Sequence, residues 1–259
     1  MKRVFNILFW IVIVSALTVA IYYVTARQKN VMVKELSINI QYIGSDIFLS
    51  KKDIKSIISG VAGDIFEKKI SSLDFEKIES TICQNPYVAN VNVFSDLNGK
   101  ISVELMQRQP IARILTNKGS FYIDQYGEIL PLNEKYISRV MLVNGIIKNY
   151  SYEKIKGINI CEIEGENELK DIYYLVNFIH QNKFLNALTE QIYITRNKEF
   201  EIVPKIGKQI VLLGNAANLD LKFRKLYLFY KYGIKQSGWD KYKSINLKFK
   251  NQVVCTKRK

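Results

Sequence analysis

Between Val4 and Ala26 the chain runs for 23 residues without a charge, a glycine or a proline. At about 1.5 Å per residue a helix of that length is about 34 Å long, enough for a hydrocarbon layer of about 30 Å. Such a run is expected either to cross a membrane or to be removed as a secretion signal. Lys2 and Arg3 fit the basic start of a signal, and Thr18-Val19-Ala20 fits a small-residue cleavage site. The apolar stretch continues, however, through Ile21, Tyr22, Tyr23 and Val24, with the tyrosines placed as an interfacial aromatic belt. We therefore expect a retained transmembrane helix over 4–26 behind a stub of residues 1–3. The basic residues Lys2 and Arg3 on one side, and Arg27, Lys29 and Lys34 on the other, leave its orientation open.

The remainder is rich enough in apolar residues to fold, since 48% of the chain is hydrophobic and only 4 residues are proline. Net charge is +14. The basic residues are mostly lysine and evenly spread, unlike the clustered arginines of a dedicated phosphate or nucleic-acid site. Cys83, Cys161 and Cys255 are far apart and form no CxxC pair, which gives no zinc or redox signature and no reason to choose a disulfide. Buried free thiols are the expectation.

Hydrophobic periodicity then divides the chain. Leu36, Ile38 and Ile40 alternate within a strand over 33–43. Ser50 with Asp53 forms a capping box ahead of Ile54, Ile57, Ile58 and Val61 at helical spacing. Asp74 caps a second helix with Phe75, Ile78 and Ile82 inward, ended by Asn85-Pro86. Val88, Val91 and Val93 lead into a strand, Asn98-Gly99 makes a hairpin turn, and Ile101, Val103 and Leu105 alternate beyond it. This β-α-α-β-β order predicts a three-stranded sheet with both helices on one face.

From Pro110 strands dominate: 111–115, 120–124, 128–130 and 140–143. Residues 145–167 read as a loop or irregular insertion. A helix follows around Ile172, Leu175, Val176 and Ile179, then strands over 191–195, 199–203 and 209–213. Phe223, Leu226, Tyr227, Tyr230 and Ile234 form an aromatic stripe assigned to core packing. A hairpin over 244–249 and 252–256, turning at Lys250-Asn251, ends the chain. The fold class expected is α+β, with the second region a mainly antiparallel β domain carrying helices.

Catalytic chemistry is not indicated. The one histidine, His180, lies in an amphipathic helix without HExxH or metal-ligand spacing, and no GxSxG, Walker A or GxGxxG pattern occurs. The acidic loop around Glu162, Glu164, Glu166 and Glu168 lacks calcium-loop alternation. No catalytic, cofactor-binding or metal-binding residue is assigned.

Several short segments in order resemble the bacterial cell-division family FtsQ, also called DivIB. Asn85–Val93 resembles the family's passage from the second helix of its POTRA domain into the next strand. Gln107-Arg108-Gln109-Pro110-Ile111-Ala112 resembles the Glu-Arg-x-Pro-x-Ala junction between domains, with Gln107 replacing the usual glutamate. Tyr122-Ile123-Asp124-Gln125-Tyr126-Gly127 matches an aromatic-x-Asp-x-x-Gly stretch, followed by Leu130-Pro131-Leu132. Ile210–Gly214 resembles the family's strand ending Leu-Gly. Asn246-Leu247-Lys248-Phe249 stands where Asp-Leu-Arg-Tyr is common.

The resemblance implies a POTRA-like domain over 33–106 and an FtsQ-like β domain over 107–259. It also implies a cytoplasmic stub, an extracytoplasmic bulk anchored in the cell inner membrane and enriched at the septum, and no enzymatic activity. The expected partners are FtsB- and FtsL-like bitopic division proteins, with the chain acting as a scaffold between early and late division proteins. The last strand would meet an extended partner segment at a sheet edge through Gln252, Val253, Val254, Cys255 and Thr256, flanked by Lys248, Phe249 and Asn251. Arg196 and Lys198, with Lys248, would meet acidic partner residues. A POTRA-bearing, membrane-anchored chaperone for protein transport or outer-membrane assembly and a tethered envelope hydrolase are the competing readings.

Overall fold

The computed structural model describes residues 2–28, 31–44, 46–133, 136–234 and 238–258, with side chains in the first helix described for 9–22. It separates into two compact units, Met1–Arg108 and Gln109–Lys259.

The first unit begins with helix α1 (Lys2–Gln28). Among the described residues no helix is long and apolar enough to cross a membrane. The rest of the expected span, 4–8 and 23–26, lies outside the described side chains. Phe9, Trp10, Ile11, Val12, Val14, Leu17, Val19, Ile21 and Tyr22 are all exposed, so the described part of α1 is apolar around its circumference.

Beyond it come β1 (Glu35–Gln41), α2 (Lys51–Ala62), α3 (Phe75–Cys83), β2 (Val88–Ser95) and β3 (Lys100–Gln107). The sheet order is β1-β3-β2, parallel for β1/β3 and antiparallel for β2/β3. Local chemistry set these elements as expected. The Ser50 hydroxyl accepts the Asp53 N–H while the Asp53 carboxylate accepts the Ser50 N–H at 3.0 Å. Asp74 caps α3 by accepting the Lys77 N–H at 3.0 Å. Gly99, at φ +99°, turns the β2–β3 hairpin, and a Cβ there would lie 2.5 Å from the Met32 carbonyl oxygen. Asp96 braces the same turn. Its carboxylate accepts the N–H groups of Lys100 and Asn98, and these bonds, the Lys100 one foremost, hold its pKa below the usual value. Ile54, Ile58, Ile78 and Ile82 from the helices close over Ile38, Ile40, Val91, Val103 and Leu105 of the sheet.

The second unit is built on a sheet of nine strands among the described residues: β4 (Pro110–Thr116), β5 (Gly119–Asp124), β6 (Ile129–Leu130), β7 (Met141–Gly145), β8 (Thr189–Ile194), β9 (Phe200–Pro204), β10 (Ile210–Gly214), β11 (Tyr242–Asn246) and β12 (Val254–Lys257). Their order is β12-β11-β10-β9-β8-β7-β4-β5-β6. The sheet is mostly antiparallel, with parallel pairings at β10/β11, β7/β8 and β4/β7. Each parallel pairing needs a crossover. The segment 146–188 carries β7 to β8 and includes α4 (Tyr152–Ile155), α5 (Glu168–Gln181) and α6 (Lys183–Leu188); the segment with α7 (Leu219–Leu228) carries β10 to β11. Leu169, Ile172, Leu175, Val176 and Ile179 of α5 pack with Phe223 and Leu226 of α7 against Ile114, Val143, Ile192, Ile202, Val211 and Ile245 of the sheet.

Three expectations need correction here. The 145–167 segment contains α4, and α6 follows α5 directly, begun by the Asn182 side chain accepting the Leu185 N–H at 3.1 Å. In the aromatic stripe Phe223, Leu226, Tyr230 and Ile234 are buried but Tyr227 is exposed, on the flank of the stripe, where its ring meets the Phe184 ring edge-on at 5.2 Å. The cysteines are free, but Cys83 and Cys161 are exposed and only Cys255 is half-buried.

Candidate functional site: the β12 edge

β12 lies at one edge of the large sheet and, among the described strands, pairs only with β11: Tyr242 opposite Lys257, then, past a register shift, Ser244 opposite Thr256, Ile245 opposite Cys255 and Asn246 opposite Val254. Just beyond the strand the Arg258 N–H donates to the Lys241 carbonyl at 2.9 Å. Antiparallel strands alternate the side toward which their main-chain groups point, so Val254, Thr256 and Arg258 face β11. The N–H and C=O groups of Cys255 and Lys257 face outward. No described strand takes them up. An unsatisfied row of this kind is a template for a further strand.

The side chains anchor the strand on one face and leave the other free. Val253 and Cys255 pack against the core, and burial pushes the Cys255 thiol pKa up. Val254 and Thr256 are exposed. The β11–β12 connection is longer than the expected turn at Lys250-Asn251, so Lys248, Phe249, Asn251, Gln252 and Val253 lie in a loop rather than in strands. The reason is visible in α7: the Lys225 ammonium donates to the carbonyl oxygens of Leu247, at 3.1 Å, and Phe249, which draws the chain toward the helix after β11. Phe249, Asn251 and Gln252 are exposed.

The basic candidates gather at the end of the sheet where β8, β10 and β11 finish and β12 begins. Lys248 pairs with Glu199 at 2.7 Å, and Lys198 pairs with Glu168. Lys198 sits in the left-handed region at φ +59°, a conformation that costs a side-chain-bearing residue about 1 kcal/mol. Its ion pair offsets that cost. Arg196, in the same β8–β9 turn, is exposed. Exposed ion pairs are worth about 0–1 kcal/mol, so Lys248, whose pair with Glu199 is open to solvent on both sides, can be exchanged to a partner's carboxylate at little cost, whereas Lys198 is held by a nearly buried Glu168.

The domain's other end owes its shape to a residue pair that the sequence pattern signalled. The buried Asp124 carboxylate accepts the N–H groups of Tyr126 at 2.8 Å and Glu128 at 2.9 Å. Gly127, at φ +83°, lets the chain turn where a Cβ would meet Cys161 Sγ at 2.8 Å. Tyr173 donates to the Gln125 carbonyl at 2.8 Å, and its burial, with Cys161 beside it, raises its pKa. Gln107 is likewise explained. Its side-chain oxygen accepts the N–H groups of Phe48 at 2.8 Å and Leu49 at 3.0 Å, and its amide donates to the Asp46 carbonyl at 2.8 Å. Amide chemistry at this position thus ties β3 to the loop before α2, a donor role that a carboxylate cannot fill.

Residues 109–256 match the model described as FtsQ/DivIB, C-terminal related. The chain belongs to the FtsQ/DivIB C-terminal-related family. Residues 32–106 match a POTRA-like domain, the arrangement expected of FtsQ/DivIB. No curated protein matches the chain. Membership in FtsQ/DivIB points to a role in cell division among protein partners.

Proposed function

We propose that this chain is a non-enzymatic divisome scaffold that captures an FtsB–FtsL-like pair by adding a partner strand to β12. The observation that carries the reading is the open edge of β12, with outward main-chain groups at Cys255 and Lys257, in a domain of the FtsQ/DivIB family. Main-chain hydrogen bonds would supply affinity. Val254 and Thr256, on the exposed face, would supply specificity, and the cations Lys248, Lys198 and Arg196 would meet acidic residues. We further propose that α1 holds the protein in the cell inner membrane with residues 33–106 and 107–259 outside the cytoplasm. The apolar circumference of its described part supports that role.

Two variants test the capture. Truncation before Gln252 removes β12, and Lys257→Pro removes one outward N–H at an exposed position while leaving the inward bonds of Thr256 and Arg258. Co-purification of FtsB–FtsL from solubilised membranes should be lost in the first and weakened in the second, with circular dichroism near wild type. Undiminished capture by both would refute the strand-addition reading.

A further inference from the structure

The loops that precede β8 and β11, join β9 to β10 and follow β12 lie together at one end of the large sheet, the end opposite Lys198 and Lys248. They hold a connected group of aromatic rings. Tyr230, in the π-helical turn Phe229–Gly233 that follows α7, is its buried hub. The Gln209 side-chain amide donates to the Tyr230 hydroxyl at 2.8 Å and fixes that ring. Around it stand Phe184 at 6.0 Å, Phe229 at 6.4 Å and Trp239 at 5.9 Å between ring centres. Phe184 in turn carries Tyr227.

The outer rings of the group are open to solvent: Tyr227 is 42%, Trp239 45% and Tyr232 56% exposed. Cations stand among them. The Lys231 ammonium is 5.6 Å from the Tyr227 ring centre and 5.3 Å from that of Tyr232, and the Lys241 ammonium is 5.9 Å from the Tyr242 ring centre. The same loops carry the exposed cations Lys183, Lys205, Lys208 and Arg258, against the carboxylates Glu190 and Asp240. Among the described residues none of these cations is held in an ion pair. This end of the domain therefore presents amphipathic rings in a positive field.

We propose that this aromatic, lysine-rich end of the second unit rests on the anionic phospholipid surface of the membrane that α1 enters. Tyrosine and tryptophan, apolar in body and polar at the tip, with lysine beside them, are the side chains favoured at the headgroup level of a bilayer. Anionic headgroups attract such lysines. Surfaces that dock another protein favour arginine and are poor in lysine, whereas here lysine supplies the cations apart from Arg258. A second copy of the chain is disfavoured, since facing the patch to itself would set lysine against lysine. Reach follows from the tether. A folded unit the size of residues 33–106 has a radius of gyration of about 11 Å, so a second unit joined through it meets lipid at high effective concentration. The inference rests on the placement of α1 in the membrane and is independent of capture at β12.

The chain has two tryptophans, so Trp10→Phe leaves Trp239 as the single reporter. The full-length Trp10→Phe chain is reconstituted into nanodiscs of phosphatidylcholine alone or of an equal mixture with phosphatidylglycerol, the lipids brominated high on their acyl chains. Co-elution of chain and disc reports the anchoring of α1; bromine quenching of Trp239 reports contact by the patch. Quenching should be about twofold or more stronger in the anionic discs and should fade as salt is raised. Lys231→Glu with Lys241→Glu, both at exposed positions, should bring it down to the level of the neutral discs. The same reversal at Lys51 and Lys55, exposed or half-buried lysines of the first unit, should leave it unchanged. Chain that co-elutes with the discs but shows quenching indifferent to lipid charge, or to the Lys231 and Lys241 reversals, would overturn this inference and leave the anchor standing. Chain that fails to co-elute would overturn the anchor and this inference with it. A blue shift of Trp239 without bromine quenching would mark burial against a second copy and overturn it as well.

Discussion

Replacing Gln107 with methionine keeps the volume of a fully buried side chain and deletes its polar atoms. Three hydrogen bonds go with them: the acceptor for Phe48 and Leu49 N–H and the donor to the Asp46 carbonyl. A buried hydrogen bond contributes about 1 kcal/mol net, and a buried group stripped of one costs about 1–3 kcal/mol. The three losses share one loop and do not add in full, which places the cost near about 3 kcal/mol. For a unit of this size that corresponds to a fall of about 15 °C in its melting temperature. The effect should be local in origin, since this loop also seats the Phe48 ring, stacked 4.5 Å from Tyr87. Urea denaturation of Gln107→Met, with Glu104→Gln at a neighbouring exposed strand position as control, measures the loss. Hydrogen exchange at Phe48 and Leu49 should accelerate in the same variant. A destabilisation below about 1 kcal/mol with unchanged exchange at those amides would show that the Gln107 amide does not hold the loop.

Gly127→Ala combines a left-handed φ of +83° with a Cβ only 2.8 Å from Cys161 Sγ, so it should destabilise the second unit by about 2 kcal/mol or more; a melting temperature equal to wild type would contradict this. Lys225→Met removes the cation that holds Leu247 and Phe249, and hydrogen exchange over 247–253 should rise while α7 stays protected. Burial lowers the folded pKa of His180 below the ordinary imidazole value, so the unfolded chain binds the proton more readily. Its contribution to stability is therefore lost as pH falls through about 6.5 toward the folded pKa, and His180→Gln should flatten that part of the stability profile; an unchanged slope would refute it. Thiol-reactive dye at neutral pH should label Cys83 and Cys161 before Cys255, whose thiol is half-buried with a raised pKa. Mass mapping of the first labelled cysteine checks the order.

Features governed by neighbouring residues were readable from the sequence. The Ser50–Asp53 capping box, the Asn98-Gly99 turn and the buried faces of α2, α3 and α5 each depend on residues a few positions apart, and the structure has all of them. The order of motifs was enough to indicate the family. What pairs across long separations was not readable. Nothing local to Ile210–Gly214 or Tyr242–Asn246 says that these strands run parallel with α7 crossing between them, because register and direction are set by which apolar faces meet in the core. The same holds for the candidate site. The β-branched content of Val253, Val254 and Thr256 signalled a strand, but only the sheet order placed β12 at an edge. Only the Lys225 contacts explain why Lys248 to Val253 form a loop, and only side-chain positions reveal that Lys198 and Lys248 already hold carboxylates. Hydrophobic spacing determines which face of an element is buried; tertiary packing decides which neighbour buries it, and therefore which edge is left open for a partner.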